Sequence, residues 1–477
     1  MAIKLKPYII GREKELHLLE SAYKSTRSKL IVVYGRRRIG KTYLLNYFGK
    51  NKSYLYFDGI EKEQTPAQLQ HVAGQLYQQT NNNLLRGLSP NNWREFFTTL
   101  LEVLPKNKKT VIVFDEVQWL ACGRSAFVSL LKSYWDNYFM NKNVVMILCG
   151  SVAHYMVKKV IRSVALYGRI DNELLVRELS PEDARKMTSR RGLLESLNYQ
   201  LIMGGVPKYL DQIDESTALD SNITKLFFQK NSFFHNEVDK VFFSQFKEAD
   251  KYKKIISELS KSNLSLEEIS KKLNLKSGGS MKGYLENLEM ADFIKSYKPF
   301  AINKTKEIKY KLVDNYLRFY FQYIKPYEKS IAEEKAKDIY LEQIKPNWKS
   351  WLGLSFETFI FKNSLWLADK LGFAGKVKDF GPYLINTKNQ KTQIDLIFFR
   401  SDNVVTLVEV KMHSNKIGVG VALEIEKKVS ALEQHEKMVQ GKTIEKVLVT
   451  AGEVDKVLKD SEYFHRIVGL RDLLENR

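Results

Sequence analysis

Residues 29–42, KLIVVYGRRRIGKT, decide the architecture of the N-terminal half. A short continuous apolar run gives way to a glycine-bounded loop and a lysine-threonine pair, and YLLNYF follows with helix-like spacing. A run apolar on both faces reads as a strand buried in a parallel sheet, so the order is strand, loop, helix. The spacing from Gly35 to Gly40, Lys41 and Thr42 satisfies G-x-x-x-x-G-K-[ST] in full. Those residue types serve one chemistry. Glycines let backbone amides close around phosphate, Lys41 reaches the terminal phosphates, and the Thr42 hydroxyl can ligate Mg²⁺.

Two further apolar runs extend the pattern to an α/β domain. TVIVFDE (110–116) ends in two acids, of which Asp115 would hold the Mg²⁺ shell and Glu116 would polarise the attacking water. VVMILCGS (144–151) stops at Ser151, either a sensor of the terminal phosphate lying between the other two strands or a plain strand-end serine. In LYGRI (166–170), Arg169 is either a finger reaching nucleotide in a neighbouring subunit or a surface arginine. Arg36 to Arg38 read as a nucleic-acid face, a subunit contact or a solvated cluster.

The chain has 477 residues, enough for two to four domains. Its formal charge of +21 implies a phosphate-rich partner, most simply nucleic acid, although an anionic membrane surface would also suit it. Cys122 and Cys149 are too few for a disulfide framework or a cysteine zinc site. No run of about 18 uncharged apolar residues occurs, and MAIKLKPYII is too short and too charged for a signal peptide. A cytoplasmic chain without a membrane partner is the expectation.

Residues 251–313 change character. Three segments carry apolar residues at helical spacing, and Ser265 with Glu268 gives the second a capping box. Two strand-like stretches around a polar loop follow, so the region reads as a winged helix-turn-helix. Its third helix, near Ser277 to Leu288, would read DNA, with Lys276, Lys282, Lys298, Lys304 and Lys306 on phosphates. A protein-interaction module is the alternative. The aromatic NYLRFYFQYIKP (315–326) reads as core helix, the charged stretch to 345 as a helical connector, and no internal repeat stands out.

IDLIFFRSDNVVTLVEVK (394–411) reads as a β-hairpin, with Val405, Leu407, Glu409 and Lys411 on one face of its second strand. If the loop is Ser401 to Asn403, Asp395 lies across from Glu409, and two facing carboxylates call for a divalent cation between them. Glu357, among apolar neighbours on the preceding helix, is a fourth candidate. Phosphodiester cleavage needs a hydroxide nucleophile and charge neutralisation, which a carboxylate-bound Mg²⁺ or Mn²⁺ supplies, while Lys411 would orient or deprotonate the water. An ordinary Asp395–Lys411 ion pair at a strand rim is the alternative. His413 would be a surface residue or a substrate contact.

IIGREKELHLLE (9–20), the P-loop, VIVFDE, LCGS, LYGRI and MGGVPKYL (203–210) occur in the order that resembles the archaeal-type ATPase family of the AAA+/STAND group. The resemblance covers roughly residues 8–240. It implies that Gly11, Arg12 and Glu13 lie near the nucleotide base and that Gly204 to Pro207 closes a helical lid over the nucleotide. The acid on the first helix, Asp395, then Glu409-Val410-Lys411, resembles the PD-(D/E)xK nuclease-like domain often appended to such ATPases. The expected domains are a P-loop core (1–170), lid (171–245), winged helix (246–313), connector (314–345) and an α/β restriction-endonuclease-like domain (346–477). Together these readings predict an ATP-binding and ATP-hydrolysing protein that binds nucleic acid and cleaves DNA under nucleotide control. It would be a homo-oligomer if Arg169 acts in trans. The alternatives are a nucleotide-switched DNA-binding scaffold with an inert nuclease-like domain, and a transcription regulator reading DNA through 276–288.

Overall fold

The computed structural model describes residues 8–123, 126–301, 308–335, 339–386, 391–412 and 416–475, so Lys304, Lys306 and His413 lie outside the described residues. The chain divides into two units, Met1–Glu178 and Leu179–Arg477.

In the first unit β1 (Lys29–Tyr34), β2 (Ser53–Asp58), β3 (Thr110–Asp115), β4 (Val144–Gly150) and β5 (Asn172–Leu175) form a wholly parallel sheet in the order β2-β3-β4-β1-β5. Alternate residues feed two cores, Leu30, Val32, Ile112 and Phe114 on one face and Ile31, Val33, Val111 and Val113 on the other. That double burial is why these strands are apolar throughout. The order sets β4 between β1 and β3, so Gly35, Asp115 and Ser151 share the carboxyl edge of the sheet, where open α/β folds bind ligands. Gly35 has φ +150°, and a Cβ there would come within 2.2 Å of the Val176 carbonyl oxygen. Only glycine fits that turn.

The second unit begins with helices packed around an aromatic core that includes Tyr209, Phe227, Phe234, Tyr316 and Phe319. Helices Ala249–Lys261, Leu266–Lys272 and Gly279–Met290 follow, with β6 (Leu264–Ser265), β7 (Ile294–Tyr297), β8 (Phe300–Ala301) and β9 (Lys309–Leu312). Strands β6, β9 and β7 form a small antiparallel sheet, and the Ser265–Glu268 capping box opens the second helix. The segment from 314 to 345 contains a repeat that pattern reading overlooks. Tyr320–Pro326 and Tyr340–Pro346 share Y-x-x-x-I-K-P. Each runs through a wide helical turn, Tyr320–Ile324 and Tyr340–Ile344, into a tight turn at Lys-Pro. Proline lacks the N–H that an ordinary helical turn requires, which accounts for the irregular turn in both copies.

The C-terminal sheet contains β8, β10 (Val377–Asn386), β11 (Lys391–Arg400), β12 (Val404–Lys411), β13 (Thr443–Thr450) and β14 (Arg466–Val468) in the order β14-β13-β12-β11-β10-β8. Leu396, Phe398, Val408 and Val410 pack into the core that holds Phe356 and Ile360 of helix Trp348–Lys362. Ile397, Phe399, Val405 and Leu407 pack with Ile425, Val429 and Leu432 of helix Gly420–His435. β12 is therefore covered on both faces. No helix among the described residues is long and apolar enough to cross a membrane.

Candidate functional site

The first site is a hydrogen-bonded cluster at the carboxyl edge of the parallel sheet. Lys41 is buried, and its Nζ donates to the Gly35 and Arg36 carbonyls at 3.0 Å each. The Thr42 hydroxyl donates to Asp115 Oδ2 at 2.7 Å, and the Tyr56 hydroxyl donates to the same oxygen at 2.7 Å. Asp115 Oδ1 accepts the Glu116 backbone N–H at 2.8 Å. Glu116 stands at φ +50°, a left-handed conformation unusual for a side-chain-bearing residue and common at functional sites. Its Oε2 accepts from the Ser151 backbone N–H at 3.0 Å, the Ser151 hydroxyl at 2.8 Å and Gln118 Nε2 at 2.5 Å. Ser151 thus touches the acid directly.

The flanking residues are already engaged. Arg12 is buried, and its Nη2 donates to the Ile39 and Arg177 carbonyls at 3.0 and 2.9 Å, so it braces the back of the loop. Arg36 is also buried and pairs with Glu178 at 2.9 Å, which removes it from a solvated arginine cluster. Arg169 grips Asp136 with two prongs, Nε at 2.7 Å and Nη2 at 2.8 Å. Pro207 heads the short helix Pro207–Leu210 in the second unit. The Thr42 hydroxyl and Asp115 carboxylate are the groups that would hold a Mg²⁺, which would supply charge neutralisation to a bound phosphate. Tyr56 and Gln118 are additions that the motifs do not contain. Tyr56 was legible only through register, which aligns β2 with β3 from Ser53–Thr110 to Asp58–Asp115.

The second site lies on β11 and β12. Their register runs from Phe399–Val405 to Leu396–Val408, which carries Asp395 opposite Glu409. The β10–β11 ladder shifts by one residue here, with Ile397 on Gly381 but Ile394 on Tyr383, so β11 holds an extra residue beside Asp395. Such a bulge re-aims a side chain. Asp395 Oδ2 accepts the Val410 backbone N–H at 2.9 Å, so the carboxylate lies along the sheet and not squarely on one face.

Glu409 is almost fully buried, with 1% of its side chain exposed, and carries two ammonium groups. Lys411 approaches Oε1 at 3.0 Å, and Lys428, from helix Gly420–His435, donates to Oε1 at 2.8 Å and Oε2 at 2.7 Å. Burial raises Asp395 well above the usual carboxylate range, and the nearby Glu409 and Glu357 charges add to it. Burial raises Glu357 as well, with Lys311 opposing and Glu409 reinforcing. Burial disfavours the charged form of Lys411, but Glu409 and Glu424 outweigh it and the group is raised. Lys311 is pushed down to about 8 by burial and then by Arg318, against the pull of Glu357 and Asp395. Burial lowers Arg318, and Glu357 opposes that. Asp395 and Glu409 offer oxygen donors of the kind a divalent cation takes. Lys428 holds the position beside Glu409 that such a cation would contest, and among the described residues no group of three or more His, Cys, Asp or Glu side chains is placed to hold a metal ion. Lys428, Lys311 and Arg318 carry no local motif.

Residues 9–213 match the family described as an ATPase domain predominantly from Archaea. Residues 320–421 match a family of archaeal and bacterial proteins of unknown function. An uncharacterized protein of Methanocaldococcus jannaschii is 29% identical over 352 residues, 73% of this chain and 75% of that protein. An uncharacterized ATP-binding protein of the same organism is 44% identical over 43 residues, 9% of this chain and 73% of that protein. Among solved structures, a Walker-type ATPase of Pyrococcus abyssi aligns with TM-score 0.49 at 19% identity, over 67% of this chain and 99% of that one. The ORC2 protein of Aeropyrum pernix aligns with TM-score 0.46 at 13% identity, over 70% and 97%. The phosphate loop and the Asp115–Glu116 strand both lie within the span that matches the ATPase domain family.

Proposed function

We propose that this ATPase is also a Mg²⁺-dependent DNA endonuclease whose C-terminal sheet, a PD-(D/E)xK-like domain, holds the cutting centre. One observation carries the reading: extended by one pair, the Leu396–Val408 register sets Asp395 opposite Glu409, and the Lys411 ammonium is 3.0 Å from Glu409. In the ATPase, Lys41 and the loop amides bind the phosphates, Thr42 and Asp115 hold the metal shell, and Glu116 polarises water once Ser151 and Gln118 release it. At the second centre Asp395 and Glu409 are the metal ligands, and Glu357 stands behind them. Bound Mg²⁺ or Mn²⁺ would supply charge neutralisation and an acidified water. Lys411 orients that water and faces the charge that develops on the phosphate. The helices and small sheet of 249–312 act as a winged helix that binds DNA, the Gly204–Pro207 region forms the nucleotide lid, and nucleotide state gates cutting. Arg169 acting in trans would have to leave Asp136 and would require a homo-oligomer. Arg12 acts on the loop's backbone in this reading.

Lys428 favours a second reading. Its two bonds to Glu409 occupy a metal ligand, as expected of a nucleotide-switched DNA-binding scaffold with an inert C-terminal domain. Purified protein incubated with plasmid and linear DNA, with and without ATP and Mg²⁺ or Mn²⁺, separates the two. Cleavage that vanishes in Asp395→Ala supports the nuclease. Equal cleavage by that variant rejects the assigned site, and ATP turnover without strand breaks under either metal selects the scaffold.

A further inference from the structure

Three acids near one another would repel a nucleic-acid backbone, and the two lysines nearest to Glu409 are both committed to it. The cations able to offset that repulsion come from a different stretch of chain. β7 and β9 pair Lys295 directly with Lys311. Both ammonium groups stand over one ring, Phe361, at 5.0 and 5.1 Å from its centroid, and Lys295 is also 4.8 Å from the Phe380 ring. Like charges directly opposed across a sheet repel, and a ring within about 6 Å of both ammonium groups returns part of that cost. Arg318, on helix Asn315–Phe319, reaches the Leu354 carbonyl with Nη2 at 3.4 Å and Nη1 at 3.5 Å. Leu354 and Phe361 lie three residues before and four residues after Glu357 on helix Trp348–Lys362, one turn away on either side. The hairpin and the helix behind it therefore bring Lys311 and Arg318 up to the turns that flank Glu357.

We propose that Lys295, Lys311 and Arg318 form the phosphate-holding rim of the Asp395–Glu409 centre, so that β7, β9 and helix Asn315–Phe319 join helix Trp348–Lys362, β11 and β12 in one nucleic-acid site. The location rests on the nuclease reading. The claim about binding stands by itself, because a rim that grips the sugar-phosphate backbone does so whether or not the strand is cut. A phosphate held between the two opposed ammonium groups would accept hydrogen bonds from both.

The test uses the full chain and a fluorescently labelled 30-base-pair duplex in EDTA, with binding followed by anisotropy across a salt series. Lys295→Gln, Lys311→Gln and Arg318→Gln should each weaken binding and reduce the slope of log K against log salt by about 1, and Lys311→Arg should retain it. A merely structural lysine would not change the slope. Circular dichroism melts identify any variant that fails to fold, and the variants that fold carry the result. Wild-type slopes in the folded variants, or no duplex binding by the wild type, overturn the proposal. Undiminished cleavage by Asp395→Ala, with the three slopes still reduced, would instead remove the nuclease reading and leave the rim.

Discussion

Lys311 offers a perturbation whose sign is not obvious. Its ammonium is pushed from the ordinary 10.5 down to about 8, first by burial and then by Arg318, even though Glu357 and Asp395 attract it. That distance is worth about 3 kcal/mol against the charged form. The unfolded chain holds the proton up to about 10.5 and the folded chain only to about 8. Between those values the unfolded state binds more protons, so stability rises with pH across the window, and below it the full cost is present. Lys311→Met should therefore stabilise the protein at pH 7. The attraction of Glu357 and Asp395 is already contained in that shift, so the gain at pH 7 should approach the same figure, about 3 kcal/mol. Urea unfolding midpoints at pH 7 and pH 10 measure it: the variant should exceed wild type clearly at pH 7 and by little at pH 10. A lower midpoint at pH 7 would mean that attraction to the acids outweighs burial, and an advantage independent of pH would mean that methionine packing, not charge, is responsible.

Three further outcomes follow from the same geometry. Lys41→Ala removes the ammonium that bridges two loop carbonyls and reaches phosphate, so ATP turnover should fall by at least about 100-fold, read by phosphate release. Tyr56→Phe deletes one of two donors to Asp115 Oδ2, a charge-assisted bond worth about 1.5–3 kcal/mol, and should raise the Mg²⁺ concentration for half-maximal ATP turnover. An unchanged Mg²⁺ dependence would make Tyr56 a packing residue. Lys428→Gln frees both Glu409 oxygens from an ammonium and should lower the Mg²⁺ needed for cleavage, measured by plasmid nicking; a higher requirement would show that Lys428 assists the reaction.

What could be read from the sequence divides by the range of the interactions involved. The phosphate loop was legible because its function is local: Gly35, Gly40, Lys41 and Thr42 are fixed by one turn and the helix it opens. The Asp395–Glu409 alignment was legible for a related reason, since a three-residue loop from Ser401 to Asn403 sets the register of the whole hairpin. The bulge in β11 was not, because its cause is the mismatch with β10, a partner strand whose pairing leaves no register signal in the sequence. Arg36 read with Arg37 and Arg38 as a nucleic-acid face, a subunit contact or a solvated cluster, yet it is buried against Glu178, about 140 residues further on, a pairing that only tertiary packing creates.

The same division explains why the cations around the second site escaped notice. A lysine reads as surface by default because an isolated buried charge is costly, so sequence alone places Lys311 and Lys428 in solvent. Each is drawn inward by acids on other elements: Lys428 by Glu409, Lys311 by Glu357 and Asp395. The acids in turn are raised by burial and by one another, and Lys311 offsets part of the rise at Glu357. A fold selected for stability alone would do better with apolar residues at all of these positions. That this one keeps acids and cations together at the edge of a well-packed sheet is the physical argument that the cluster exists to meet a charged ligand, and Lys311→Met, which should gain stability while losing duplex affinity, puts both halves of that argument in one variant.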